Sequence, residues 1–277
     1  MSKSLRTLLA VIAAFAAPAL AQSVAFVTNL KGEVAIDGNA RPLILAELGK
    51  GQRITVGRDA QMNVMFTASG KEYVLKPGEY EVREAEIASA SGSPPASRAT
   101  EWRASNKVLA QVAQTSSASV RMRSLAKPKA DTSPKLLFPT EGSVGTLQPV
   151  FRWQAADAAP GGELTLLVAG QEKPVRKEKI SGQSHRMTAK LQPNTEYTWI
   201  VSMNGAEVGT AQFRTMPAAA IREIDKRRPA DTAEFSDRVL FALYLQEVGA
   251  SQEARDAWAR LSRERTDLPE LSTLATK

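Results

Sequence analysis

Between Gln22 and Val82 the chain is cut by turn signals about every ten residues, and this spacing constrains its fold more than any other feature. The signals are Asp37-Gly38-Asn39, Gly49-Lys50-Gly51, Gly57-Arg58-Asp59, Ser69-Gly70 and Pro77-Gly78. Short apolar runs lie between them, which fits a compact all-β unit. Asp37-Gly38 predicts a type I′ hairpin turn between Val34-Ala35-Ile36 and Leu43-Ile44-Leu45, because both central residues of that turn need positive φ. Met62, Val64 and Phe66 alternate with Asn63 and Met65, so one strand face is expected to be buried and the other mixed. Tyr73 and Leu75 alternate with Glu72, Val74 and Lys76 in the same way.

The residues before this unit set an expectation of compartment. Lys3 and Arg6 precede an apolar run from Leu8 to Ala17, and Ala19-Leu20-Ala21 is a small-x-small step before Gln22. This is the pattern of a cleavable secretory signal over 1–21, cut after Ala21, and it predicts a periplasmic protein. No later stretch approaches about 18 consecutive apolar residues, so no membrane span is expected after cleavage. The net charge of +7 fits solubility as well as an anionic partner, and a secreted chain has no call on nucleic acid. With no cysteine, disulfides, thiol catalysis and thiolate metal sites are excluded.

The succession Lys31-Gly32-Glu33-Val34, Gly51-Gln52-Arg53-Ile54, Phe66 to Gly70 and Leu75-Lys76-Pro77-Gly78-Glu79-Tyr80 resembles the FecR-type periplasmic domain. Gln52 stands where that family's pattern has Asp, and Val56 where it has Thr. The resemblance covers about 24–82 and implies a fold and a contact module rather than an activity. The family's sigma-regulator role needs a cytoplasmic segment and is not carried over to a chain with a cleavable leader.

From Arg83 to about 134 the composition turns to Ser, Ala, Pro and Lys and reads as a linker, Ala88 to Pro95 in particular. Within it, 100–114 reads either as a short helix carrying Trp102 or as spacer. Arg121, Arg123, Lys127 and Lys129 fit a solvated linker or a contact with anionic lipid.

The next unit is expected over 135–216. Leu191-Gln192-Pro193-Asn194-Thr195-Glu196-Tyr197-Thr198-Trp199 resembles the pattern of fibronectin type III and related Ig-like domains. That resemblance implies a β-sandwich with Tyr197 at a corner, its hydroxyl bonded back to the chain. Trp153, Trp199 and Phe213 are then core residues. Over 217–277 the pattern turns helical. Ala218 to Arg228 ends at Pro229, a second helix capped by Asp231 or Thr232 runs to Val248 before Gly249, and Ser251 caps a third with Ala254, Ala257, Trp258 and Leu261 on one face. The last two resemble half of a tetratricopeptide-type hairpin. The fold class is therefore mainly β with an α-helical C-terminus: a FecR-like all-β domain, an Ig-like sandwich and a helical hairpin.

Chemistry-bearing groups are sparse. His185, the sole histidine, falls in an expected hairpin loop, where a catalytic triad is poorly supported. One histidine and no cysteine make no metal set, and Gly49-x-Gly51 lacks the rest of a phosphate loop. Glu79, Glu81, Glu84 and Glu86 read as exposed strand-end carboxylates rather than a glycosidase pair. No catalytic residue and no cofactor are assigned. The expected function is non-enzymatic binding in the cell envelope, with a periplasmic or outer-membrane protein as partner. Val239 to Leu245 is apolar nearly all round, more than one partner helix covers, so some of it is expected to pack on the Ig-like unit or on another chain, and Leu240, Phe241, Tyr244, Leu245 and Trp258 are the candidate docking residues. The alternative is peptidoglycan or another anionic glycan held by Lys50, Arg53, Arg58 and Lys71.

Overall fold

A computed structural model describes residues 23–90, 94–100, 133–155 and 161–275. It is mainly β with a helical C-terminal region. The expected signal segment, and all of the expected 100–114 helix but Thr100, lie outside the described residues.

The first unit contains β1 (Ser23–Lys31), β2 (Val34–Ile36), β3 (Asn39–Ala40), β4 (Glu47–Gly49), β5 (Arg53–Val56), β6 (Gln61–Phe66), β7 (Lys71–Leu75), β8 (Gly78–Val82), β9 (Ile87–Ser89) and β10 (Ala96–Ala99). They form two five-stranded sheets, in the orders β10-β7-β6-β1-β4 and β3-β2-β5-β8-β9. Asp37 and Gly38 have φ of 50° and 76°, and Ile36 faces Asn39 across the turn. The turn is the expected one, but its return strand is Asn39–Ala40 rather than 43–45. The unit also runs past Val82, where a linker was expected. β9 pairs with β8 and β10 with β7, because Ile87 contributes a buried side chain and the short polar residues of β10 need only an edge.

Register explains why β1 and β6 are buried on both faces. Ala25, Val27, Val64, Phe66 and Tyr73 share one face, and Phe26, Met65, Glu72 and Arg98 share the other. The second face is not open to solvent: Asn63 and Met65, expected on a mixed face, are both buried. It is covered by the C-terminal helices.

The second unit contains β11 (Lys135–Phe138), β12 (Ser143–Val144), β13 (Val150–Gln154), β14 (Gly162–Val168), β15 (Arg176–Ile180), β16 (Ser184–Arg186), β17 (Glu196–Met203) and β18 (Ala206–Thr215). A sheet of order β11-β13-β16 packs on one of order β12-β18-β17-β14-β15. Its core is its own, built on Phe151, Trp153, Tyr197, Trp199 and Phe213. The Tyr197 hydroxyl accepts from the Gln192 N–H at 2.9 Å, and Trp199 Nε1 donates to the Pro139 carbonyl at 2.6 Å.

The helices are α1 (Ala218–Arg227), α2 (Phe235–Glu247), α3 (Ser251–Glu264) and α4 (Glu270–Leu274). Neither Asp231 nor Thr232 caps α2, whose N-cap position is Glu234, and Ser251 is the first helical residue rather than a cap. Gly249, at φ 80°, makes the left-handed step between α2 and α3. One apolar core runs through Phe26, Met65, Leu240, Leu243 and Trp258, so helices and first β unit are packed as one body.

Candidate functional site

Two polar junctions fix the helices to the β units. At the first, the Glu72 carboxylate is fully buried in the middle of a sheet. A buried carboxylate is tolerable only when its oxygens are bonded. Thr28 Oγ1 donates to it at 2.7 Å and Arg98 Nε at 2.6 Å. Arg98 then reaches α2, donating to both Asp237 oxygens at 2.8 and 3.0 Å and to Ser236 Oγ at 3.1 Å. Burial works against the Arg98 charge, but the bonds to Asp237 and Glu72 outweigh it and raise its pKa. Farther along, Glu270 accepts the Ile44 N–H at 3.0 Å, and Arg265 bonds Asn29 Oδ1 and the Leu30 carbonyl. A cleft of about 350 Å³ opens beside Arg98, lined also by Thr100, Lys226, Arg227 and Asp237. Two of its cations face the protein's own groups: Arg98 holds Asp237, and Arg227 stacks over Tyr244.

The second junction joins the sandwich to α3. Glu253 accepts the Gly145 N–H, and burial pushes its carboxyl up to about 7, against the lowering effect of hydrogen bonds from its own N–H and that of Gly145. Its other oxygen is buried with no hydrogen-bond partner among the described residues. Gln252 takes the Thr140 N–H at 3.2 Å and donates to the Glu141 carbonyl at 2.6 Å. Arg152 of β13 donates to Asp256 at 2.6 Å. A Cβ at Gly145 would sit 2.7 Å from Ile224 Cδ1, so the flexible end of that side chain would have to shift to admit one.

These contacts correct the expected docking surface. Leu240, Phe241, Leu245 and Trp258 are buried in the molecule's own core, and Tyr244 packs against it. The all-round apolar α2 is accounted for by α3 on one side and β1 on the other, so among the described residues its large apolar side chains are interior. The four glycan candidates are not gathered either. Lys50 pairs with Glu84 at 3.3 Å, and Arg53 lies opposite Glu81 across the β5–β8 ladder. Arg58 adjoins the start of β6 and Lys71 lies beyond its end, about 17 Å away along the strand. Glu79, Glu81, Glu84 and Glu86 are exposed. His185 sits on β16, not in a loop, and its Nε2 meets Glu178 of β15, closing the flank between the two sheets.

Arg98, Asp237 and Glu253 escaped the sequence reading, because nothing local marks a residue whose partner is more than 100 positions away. A further feature had a plain signal. Between Lys173 and Lys190 stand six lysines and arginines against one carboxylate, on a flank of the sandwich. Among the described residues only Leu137 and Val175 are exposed large apolar side chains. No three histidine, aspartate or glutamate side chains gather as a metal set there, and no helix is long and apolar enough to cross a membrane.

No protein-family model matches the chain, and no curated protein is significantly similar to it.

Proposed function

We propose that this chain is a non-enzymatic binding protein of the bacterial cell envelope, exported to the periplasm and acting as an adaptor. The observation that carries this reading is the double engagement of the helices. They share a core with the first β unit and are bonded to the sandwich through Glu253, Gln252 and Asp256. Two β units held at a set mutual placement are what an adaptor needs. The leader-like pattern over 1–21 supports export, and the FecR-type resemblance of 24–82 supports an envelope contact module. The partner in this reading is a periplasmic or outer-membrane protein, met by the exteriors of the β units, since the hairpin is interior. The glycan alternative through Lys50, Arg53, Arg58 and Lys71 has no observation in its favour.

Photo-crosslinking in cells tests the reading. Benzoylphenylalanine placed at the exposed positions Thr55 and Thr210 should give discrete adducts with envelope proteins under ultraviolet light. Chain that remains free of adducts at every such position overturns it.

A further inference from the structure

The sandwich ends, on the side away from β12 and β11, in two edge strands, β15 of one sheet and β16 of the other. The stretch that builds this flank carries Lys173, Arg176, Lys177, Lys179, Arg186 and Lys190, every one of them exposed. Within 173–190 the one carboxylate, Glu178, is taken by His185, and the exposed Glu172 adjoins Lys173 at the start of the stretch. Lys177 shares Glu163 at 3.0 Å in a solvent-exposed pair, and the other five cations have no ion pair among the described residues. Among the described residues β15 is hydrogen-bonded to β14 alone, so one row of its backbone donors and acceptors is paired by no described strand.

An unpaired edge invites a strand, and the side chains beside it decide which strand. Lysines along an edge keep two copies of the same chain apart, since like charges would meet. They favour a strand of opposite charge. Lys177 and Lys179 lie on the outer face, opposite Thr165 and Glu163, about 7 Å apart along the strand. Arg176 stands on the alternate face at the strand's beginning. An added strand would place its own alternate residues beside these positions. We propose that β15 is a docking edge for an extended acidic polypeptide segment, with carboxylates spaced two residues apart, that pairs as an additional strand of the sheet. This deepens the binding-protein reading and rests on it: the partner's contact is a chain segment with Asp or Glu at every second position.

The test uses the full mature chain and a fluorescein-labelled peptide of four Glu-Val repeats, followed by anisotropy at low salt. Saturable binding is expected. The double charge reversal K177E/K179E should weaken it by about tenfold or more, and the distant reversal K50E should leave it unchanged. A peptide of the same charge with alternate backbone amides N-methylated should bind at least about tenfold more weakly to the unaltered chain, because it cannot form the ladder. Equal binding of the methylated peptide, or of inorganic polyphosphate, makes the flank a plain polyanion surface and overturns the proposal, as does unchanged binding by K177E/K179E. Envelope crosslinks at Thr55 without peptide binding would sink this inference alone and leave the adaptor reading standing.

Discussion

The two β units bury their strands in opposite ways. In the sandwich, β17 alternates strictly, with Tyr197, Trp199, Val201 and Met203 buried between half-exposed or exposed neighbours. In the first unit, Ala25, Phe26, Val27 and Thr28 of β1 are consecutive and all buried. The sandwich closes its core with its own second sheet and leaves the outer faces to water. The first unit has a sheet on one side of β1 and a helix on the other. Its core is therefore completed by residues more than 200 positions downstream. A unit of the first kind is expected to be self-sufficient, and one of the second kind is not.

Removing the helical cover is the hardest blow to that contrast. Trp258→Ala, at a fully buried side chain, should cost about 4 kcal/mol and loosen the first unit together with the helices, while the sandwich keeps its melting transition. Two-transition calorimetry reads the difference. Next in size is Arg98→Ala, which leaves the buried Glu72 carboxylate short of its charged partner. A loss of about 3 kcal/mol is expected in the same transition, measured by urea unfolding.

The Glu253 junction responds to pH. Its carboxyl is raised in the folded protein from the ordinary 4.5 to about 7, so folding favours the protonated form. The stabilisation is complete below pH 4.5 and is lost as pH rises through about 7. Asp256 adds to the raised value and Arg228 opposes it. The melting temperature should fall by several degrees between pH 5 and pH 8, and Glu253→Gln should remove that slope. A smaller effect, about 1 kcal/mol, is expected from Gly145→Ala, where the added methyl meets the flexible end of Ile224. The least is Lys50→Ala, below about 0.5 kcal/mol, because the Lys50–Glu84 pair is solvent-exposed on both sides.

What could be read in advance follows from the same contrast. The sandwich was legible: Tyr197 and Trp199 sit two apart on one strand face, and Phe213 pairs with Tyr197 across the β17–β18 ladder as local patterning demands. The Asp37-Gly38 turn was legible because its geometry is set by those two residues alone. The first unit's second buried face was not. Asn63 and Glu72 look like solvent-facing strand residues, and they become interior only because α2 brings Ser236 and Asp237 over the sheet. The apolar girdle of Val239 to Leu245 announced two-sided burial but not its cover. The cover was expected from the sandwich or another chain, whereas β1 of the first unit occupies that side. β10 was lost to a composition rule: Ala96-Ser97-Arg98-Ala99 has linker chemistry, yet Arg98 makes it the strand that clasps α2.

The central claim is that β1 and the C-terminal helices are one folding unit, and hydrogen exchange along a urea series tests it directly. Peptides from 23–31 and from 235–264 should lose protection at the same urea concentration, apart from those of 196–215. Loss of protection in 235–264 while 23–31 stays protected at higher urea would contradict the account.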